Sequence, residues 1–357
     1  MPASYGNKSA DDIEAELRAH FATQYRKFTF EGLIGRGAFG LAFRLVEKVS
    51  ENKVRRLAVK RSLPRKEDDL RNEIRYLMRL RGAEHIVRLL ASRDEEEPMP
   101  GRQRARGIMN ARRLGLQDSL TGITGPIAVL EYMENGDLKQ LVNRCIRNDQ
   151  LLPNRILWSL FLCLIRACIA LSYPPNGAEG QPNQLEIVPT DGTAPSLIEH
   201  ADLHAANIMI GDIGGFPEHG LVPSLKFIDF GRTRELPQGI PDNVWKISRI
   251  MIDLITRQQL RISTWITSYN GFETRATEIL PHGNGWQYPT LDPDLRDFLA
   301  RCLAHKQQDR PDLSTMLRIA EDAVRTKTAE AYPGKADETD EAIHKLLQEY
   351  IYDGDTK

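Results

Sequence analysis

The sequence has few cysteines and almost no excess of charge of either sign. The four cysteines among its 357 residues are Cys145, Cys163, Cys168 and Cys302. They are too few for a disulfide framework, and no CxxC pair indicates a zinc site. The 48 basic and 49 acidic residues leave a net charge of −1, whereas nucleic-acid and membrane-surface binders usually carry a marked positive excess. We therefore expect an intracellular, cytoplasmic protein, with a nuclear location left open, and neither nucleic acid nor a membrane as its partner.

An apolar leader is also lacking. The first residues, MPASYGNKSADDIEAELRAHF, contain no apolar core segment, so we expect no secretory signal. One apolar run, ILWSLFLCLIRACIALSY at 156–173, approaches the ~20 residues of a membrane span. Ser159 and Arg166 interrupt this run, and neither of its ends carries a basic flank. The run therefore predicts a buried core helix, with a membrane span as the alternative.

Hydrophobic periodicity divides the chain into a β-rich part and a helical part. Residues 11–27 predict an amphipathic helix in which Ile13, Leu17 and Phe21 share one face. The predicted elements of the β-rich part are strands at 28–35, 41–49, 55–62, 85–92 and 125–133, with one polar helix at 66–81. Those of the helical part are helices at 137–147, 154–172, 243–257, 293–304, 312–326 and 339–350, with short strands at 196–203 and 225–230. The segments 94–124 and 174–195 are expected to be insertions, the first of them solvated.

A glycine-rich motif, Gly35-Arg36-Gly37-Ala38-Phe39-Gly40, lies between two strand-like runs. Dinucleotide-binding folds need a helix after such glycines and an acidic residue ~20 positions later. Here a strand follows, and the residue twenty positions after Gly40 is Lys60. The motif is therefore interpreted as a hairpin whose backbone N–H groups approach phosphate oxygens.

Lys60 ends the apolar run Leu57-Ala58-Val59-Lys60. Alone it would be interpreted as a lysine at a strand edge. Glu73 shares a helix face with apolar residues and is expected to point inward, where a carboxylate needs a partner. A Lys60–Glu73 pair would hold the lysine toward the phosphates of a nucleoside triphosphate.

The strongest pattern is HADLHAAN at 200–207, followed by an apolar strand and by FIDFG at 227–231. Two acids, Asp202 and Asp229, and Asn207 each lie beside apolar strands. Phosphoryl transfer uses such groups, one carboxylate to orient a hydroxyl and an Asn with a second carboxylate to hold Mg²⁺. A zinc pair formed by His200 and His204 lacks further ligands at usable spacing.

These motifs together resemble the protein kinase-like superfamily, in the same order, over roughly residues 28–325. GRGAFG is similar to the glycine-rich loop, LAVK to the VAIK strand and Glu73 to the αC glutamate. LEYMENGDL at 130–138 resembles the gatekeeper and hinge, HADLHAAN the HRDLKPxN loop, and IDFG the DFG motif. NVWKISRIMIDL and LRDFLARCLAHKQQDRP extend the match toward residue 325.

The resemblance implies an α+β, bilobal protein kinase-like fold, with a small antiparallel β-rich N-lobe that carries one main helix and a larger, mainly helical C-lobe. The implied boundaries are 1–27 for a helical extension, 28–133 for the N-lobe, 134–325 for the C-lobe and 326–357 for a polar C-terminal tail.

The same resemblance implies an ATP- and Mg²⁺-dependent enzyme, with Mn²⁺ as an alternative ion and an unidentified protein as substrate. The implied catalytic residues are Asp202, Lys60, Glu73 and His204. The implied ATP-binding residues are Gly35, Gly37, Phe39, Gly40, Ala58, Lys60, Glu131 and Met133, the last two through their backbone. The implied metal ligands are Asn207 and Asp229.

The chain departs from the family pattern at several positions. Ala201 replaces the HRD arginine, His204 the catalytic-loop lysine and Asn243 the aspartate that anchors the loop. Only eleven residues, 232–242, separate Gly231 from Asn243, and Thr233 is the one hydroxyl among them. We therefore expect no control by activation-loop phosphorylation and little of the platform that holds a peptide. The combination is similar to divergent fungal kinase-like proteins.

Three functions follow from these observations. The first is an ATP-dependent kinase that acts on protein Ser or Thr. The second is a small-molecule kinase, since HxDLHxxN is similar to the loop of aminoglycoside- and choline-kinase-like enzymes. The third is a pseudokinase or scaffold that binds nucleotide weakly or not at all.

Overall fold

A five-stranded antiparallel sheet forms the first part of the protein. The computed structural model describes residues 8–23, 27–37, 40–95, 115–258, 265–281, 285 and 287–353. The strands are β1 (Phe28–Arg36), β2 (Gly40–Ser50), β3 (Lys53–Ser62), β4 (Leu89–Glu95) and β5 (Gly125–Glu131). Their order across the sheet is β1-β2-β3-β5-β4, with every neighbouring pair antiparallel.

Two helices cover the two faces of this sheet. Helix α1 (Ala10–Thr23) packs on β1 and buries Ile13, Leu17 and Phe21 in a core shared with β2 and β3, as its periodicity predicts. Each such side chain contributes about 1.5–3 kcal/mol when it is removed from water. Helix α2 (Glu67–Arg79) lies on the opposite side and turns Leu70, Glu73, Tyr76 and Leu77 inward.

The second part of the protein is mainly helical. Its helices are α3 (Leu138–Arg147), α4 (Asn154–Ser172), α5 (Gly239–Thr256), α6 (Pro293–Cys302), α7 (Leu313–Thr326) and α8 (Asp340–Leu347). Helix α4 is the one helix in the described residues that is long and apolar enough to cross a membrane, and 89% of its apolar window is buried inside the protein. The prediction of a buried core helix is therefore confirmed. The α+β class is confirmed as well.

Short paired strands lie between α4 and α5 and carry the polar motifs. They are β6 (Ile198–Glu199), β7 (Ile208–Ile210), β8 (Leu225–Phe227) and β9 (Arg234–Glu235), followed later by β10 (Thr267–Tyr269) and β11 (Phe272–Thr274). Strand β6 pairs with β9, and β7 pairs with β8. Two backbone hydrogen bonds join β8 to the loop before β4, from Phe227 N–H to His85 O (2.9 Å) and from Val87 N–H to Phe227 O (3.0 Å). The sheet and the helical part are thus connected directly beneath the polar motifs.

The C-terminal segment packs against the helical part, although composition suggests a polar tail. Glu338 is fully buried and accepts hydrogen bonds from the backbone N–H groups of Asn154 (2.7 Å) and Arg155 (3.1 Å). A carboxylate at this place satisfies the free donors at the start of α4 and complements the helix dipole. The Arg144 guanidinium donates to the carbonyl of Tyr350 at 2.8 Å. The segment therefore completes the helical core.

The two expected insertions differ from one another. Most of 94–124 lies outside the described residues, but its final part is not solvated, because Leu120 and Ile123 are fully buried in the core beneath α1. Apolar packing against the sheet therefore overrides the polar character of this segment. The 174–195 segment is irregular and largely exposed, with Glu186 as a buried exception.

Candidate functional site

Lys60 stands at the centre of a three-residue charge cluster between the sheet and the helical part. Its Nζ lies 2.5 Å from Oε2 of Glu73 and 2.9 Å from Oδ1 of Asp229. Strand β3 supplies the lysine, α2 supplies Glu73, and the turn after β8 supplies Asp229. The predicted Lys60–Glu73 pair is confirmed, and Asp229 joins it.

Helix periodicity explains why Glu73 reaches Lys60. Glu73 lies one turn from Leu70 and from Leu77 and is only 1% exposed, so it points into the protein as predicted. A buried carboxylate of this kind requires a cationic partner.

The cluster shifts the pKa values of its members. Burial lowers the pKa of the Lys60 ammonium, but the charges of Glu73 and Asp229 outweigh this effect and raise it. Burial raises the pKa of Asp229, and the Lys60 charge reverses this and lowers it. Lys60 is therefore a cation and Asp229 a carboxylate near neutral pH.

His200 joins the two polar motifs. It is fully buried, its Nε2 lies 2.9 Å from the Ile228 carbonyl, and its Nδ1 accepts the Asp202 N–H at 3.4 Å. These bonds assign the proton to Nε2 and leave the imidazole neutral. Burial lowers the pKa of His200 to about 4. The ring thus fixes the backbone of Asp202 and of the residue that precedes Asp229.

Asn207 and Asp229 fit a hard divalent cation. The Nδ2 of Asn207 donates to the backbone carbonyl of Asp202 at 2.8 Å, so the amide oxygen is the atom of this side chain that could bind a cation. The Asn207 carbonyl accepts the Ile228 N–H at 3.0 Å, so Asn207 and Asp229 lie on neighbouring strand ends. Amide and carboxylate oxygens are ligands of Mg²⁺.

Two residues of the site have left-handed backbone conformations. Ala201 and Asp229 both have φ of 64°. Such conformations cost roughly 1–3 kcal/mol for residues other than glycine and cluster at functional sites. Ala201 directly precedes Asp202, and Asp229 is itself an acid of the site. The surrounding hydrogen bonds keep both residues in this strained conformation.

His204 and Asp202 lie at the open edge of the site. The His204 Nε2 is 4.0 Å from Oδ1 of Asp202, and the two side chains are 54% and 27% exposed. A group that enters the cleft can therefore reach both side chains.

The glycine-rich motif covers the end of β1 and the start of β2. Gly37 N–H donates to the Gly40 carbonyl at 2.9 Å. A Cβ on Gly40 would lie 2.6 Å from the carbonyl oxygen of Arg61, so strand packing requires this glycine. A Cβ added at Gly35 or at Gly37 would meet no atom of the described residues closer than 3.9 Å. Phe39 lies outside the described residues.

The predicted hinge leaves the sheet at the end of β5. Ala58 on β3 is directly paired with Leu130 on β5, so both line the same part of the sheet. The Glu131 side chain contacts Lys226 at 2.9 Å and accepts the Arg88 N–H at 2.8 Å, which fixes the strand end. Met133 follows, and its Cε would lie 3.6 Å from a Cβ added at Gly211.

Helix α2 is tied to the short segment that follows Asp229. The Nδ2 of Asn72 donates to the carbonyls of Gly231 (2.9 Å) and Thr233 (2.8 Å). An ion pair between Arg79 and Glu235 extends the contact. Helix α2, and with it Glu73, is thus held in position by unmodified residues.

Sequence patterns did not identify two residues that position the site. They indicated His200 only as a zinc ligand, which was rejected, and they did not indicate Asn72. The pairing of His200 with an aspartate two residues later is a local signal. Asn72 binds backbone carbonyls, which carry no signal in the sequence.

No family model matches the chain.

Proposed function

We propose that the protein is an ATP- and Mg²⁺-dependent phosphotransferase with a bilobal protein kinase-like fold. The observation that carries this proposal is the position of Lys60, held at once by Glu73 and Asp229 beside the loop of Asp202 and Asn207. Such a cluster presents a fixed cation and two oxygen ligands to one cleft. These are the groups that bind the phosphates of a nucleoside triphosphate.

In this proposal the sheet binds the nucleotide. The turn at Gly35 and Gly37 lies over the phosphates, and Lys60 pairs with their oxygens. The adenine lies against Ala58 and binds the backbone of Glu131 and Met133. Asn207 and Asp229 would hold Mg²⁺, or Mn²⁺ in its place, and the bound ion would neutralise phosphate charge.

Asp202 is the proposed catalytic base. Its backbone is fixed from both sides, since its N–H donates to His200 and its carbonyl accepts from Asn207. Its carboxylate remains 27% exposed at the edge of the cleft. These features support a role for Asp202 as the acceptor of the proton of an incoming hydroxyl, with His204 beside it.

The acceptor that we propose is a Ser or Thr of a protein. One observation favours a small-molecule hydroxyl as the second candidate. Between Gly231 and Asn243 the chain forms β9 and then enters α5 at Gly239, so little of it is left to support an extended peptide.

Transfer of radiolabelled phosphate from ATP tests the proposal. The wild type and Asp202→Asn are incubated with Mg²⁺ and either a protein extract or a metabolite pool. Both hydrogen bonds of Asp202 described above involve its backbone, so the variant retains them. We expect label in the wild-type protein fraction, loss of label in Asp202→Asn, and wild-type labelling by the exposed-loop control Asp191→Asn. Undiminished transfer by Asp202→Asn would overturn the role of Asp202.

Nucleotide binding is measured separately by thermal unfolding. A ligand at 100 times its Kd stabilises a protein by about 2.7 kcal/mol. We expect a higher unfolding midpoint with ATP, and a larger increase with ATP and Mg²⁺. An unchanged midpoint with both, together with no transfer, would favour a scaffold without nucleotide.

A further inference from the structure

A second polar cluster lies within the core, away from the charge cluster around Lys60. It consists of His85 in the loop before β4, Cys163 on α4 and His219 in the loop before β8. All three residues are at most 1% exposed. One ligand atom from each lies within 4.8 Å of the other two.

Nε2 of His85 is buried without a hydrogen-bond partner, while the other ring nitrogen, Nδ1, is held by Glu186. Cys163 Sγ lies 4.0 Å from Nδ1 of His219. Buried polar atoms are normally paired, so this cluster requires an explanation.

Carboxylates lie beside both imidazoles. Glu186 is buried and holds Nδ1 of His85 at 2.7 Å and the His85 N–H at 2.8 Å. Glu218 Oε1 lies 3.6 Å from Nε2 of His219 and is itself held by Arg166. Histidines that bind metals commonly engage a carboxylate through their other nitrogen, which orients the ring.

We propose that His85, Cys163 and His219 bind a resident Zn²⁺ ion. The ligand atoms are Nε2 of His85, Sγ of Cys163 and Nδ1 of His219, with a water molecule in the fourth position. Imidazole and thiolate suit zinc and exclude the hard ions Mg²⁺ and Ca²⁺. Tetrahedral coordination places such N and S atoms about 3.5 Å apart, so modest side-chain shifts close the site.

The ion would join segments that are far apart in sequence. The His85 carbonyl accepts the Phe227 N–H at 2.9 Å, and Phe227 lies two residues before Asp229. Zinc at this site therefore stabilises the base of β8 and the turn that carries Asp229. The proposal does not depend on the phosphotransferase function.

Metal content of the full chain tests the site. The protein is expressed with added zinc, purified without a metal-affinity step, and analysed by inductively coupled plasma mass spectrometry. We expect about one zinc ion per chain in the wild type. Cys163→Ala should lose it, whereas Cys168→Ala, a buried cysteine on the same helix, should keep it. Equal zinc in Cys163→Ala and the wild type, or none in the wild type, would overturn the proposal.

Cobalt spectroscopy keeps the test decisive if Cys163→Ala fails to fold. Co²⁺ added to metal-free wild-type protein should produce a thiolate-to-cobalt charge-transfer band, which Cys168→Ala retains. Absence of this band would show that the cluster is a metal-free His85–Glu186 ion pair. Glu186→Gln should weaken zinc binding by about 10–100-fold. A zinc-selective chelator used with excess Mg²⁺ should lower the unfolding midpoint of the wild type.

Discussion

Asn243 accepts the backbone N–H of His200 at 3.1 Å through its side-chain oxygen. Its amide nitrogen donates to the carbonyl of Ile198 at 2.7 Å. The side chain is 1% exposed, so water cannot replace either bond. Both halves of the amide are therefore required, and a carboxylate, which only accepts, would satisfy one of them.

We predict that Asn243→Asp destabilises the protein, although protein kinases carry Asp at the position that Asn243 resembles. The Ile198 carbonyl would lose its donor and face a buried carboxylate. The expected loss is about 1–3 kcal/mol in the free energy of unfolding, measured with urea at pH 7. Asn143→Asp, at an exposed position of α3, makes the same charge change in contact with water and should cost less. Wild-type stability in Asn243→Asp would contradict the role of the amide donor.

Lys60→Met should destabilise the protein by about 3 kcal/mol, because Glu73 is left buried without its cation. Asp229 is 31% exposed and can regain water. The double variant Lys60→Met/Glu73→Leu should recover most of the lost stability in urea unfolding. Under the proposed function, neither variant transfers phosphate. If the double variant were as unstable as the single one, the stability effect would not come from the unpaired carboxylate.

His200 should make the fold sensitive to acid. Its pKa is about 4 in the folded protein and about 6.5 when unfolded. Between these values the unfolded chain binds more protons, so stability falls as the pH is lowered from 6.5 to 4, by about 3 kcal/mol in total. Urea unfolding of His200→Gln should show a smaller loss between pH 7 and pH 4. His305→Gln, at an exposed position, should retain the wild-type loss, and equal slopes in all three proteins would refute the assignment.

Thr233 should not be a phosphorylation switch. It is 3% exposed, and its hydroxyl donates to the His200 carbonyl at 3.4 Å. We expect no phosphate on Thr233 by intact-mass and peptide mass spectrometry after incubation with ATP. Under the proposed function, Thr233→Val should transfer phosphate at the wild-type rate. Phosphorylation of Thr233 that raised the activity would contradict this prediction.

Asp292 should be essential to the helical core, whereas Asp294 should not. Asp292 is 1% exposed, accepts from Trp158 (3.0 Å) and Tyr332 (2.5 Å), and pairs with Lys327 (2.9 Å). Asp294 also pairs with Lys327 but is 71% exposed. We expect a loss of about 3 kcal/mol for Asp292→Asn and under about 1 kcal/mol for Asp294→Asn in urea unfolding. Equal losses would contradict the prediction that the buried bonds of Asp292 stabilise the fold more than the exposed ion pair of Asp294 does.

Local patterns predicted a large share of the elements and of the site. Helix α2 and the inward position of Glu73 follow from one periodic segment, because all the residues involved lie within four turns. Asp202, Asn207 and Asp229 were recognisable because each stands beside a short apolar strand. Such signals are contained within a few neighbouring residues, and tertiary packing reinforced them.

Long-range partners were not predictable in this way. Glu338 binds the start of α4 from 184 residues away, and its own neighbours are polar and uninformative. His85, Cys163 and His219 come together only through the fold, so no spacing rule could group them. Leu120 and Ile123 are buried because α1 and the sheet enclose them, which their polar surroundings concealed.

Two contacts, Glu338 with Asn154 and Tyr350 with Arg144, also join segments that are synthesised at very different times. A ribosome makes α3 and α4 long before it reaches these partners. Until then the buried Arg144 guanidinium and the first N–H groups of α4 lack the acceptors that they have in the native state. These two contacts can therefore form only after residues 338 and 350 have been synthesised. A chain released before residue 338 would therefore lack the carboxylate that satisfies the first N–H groups of α4, the apolar helix of the described core.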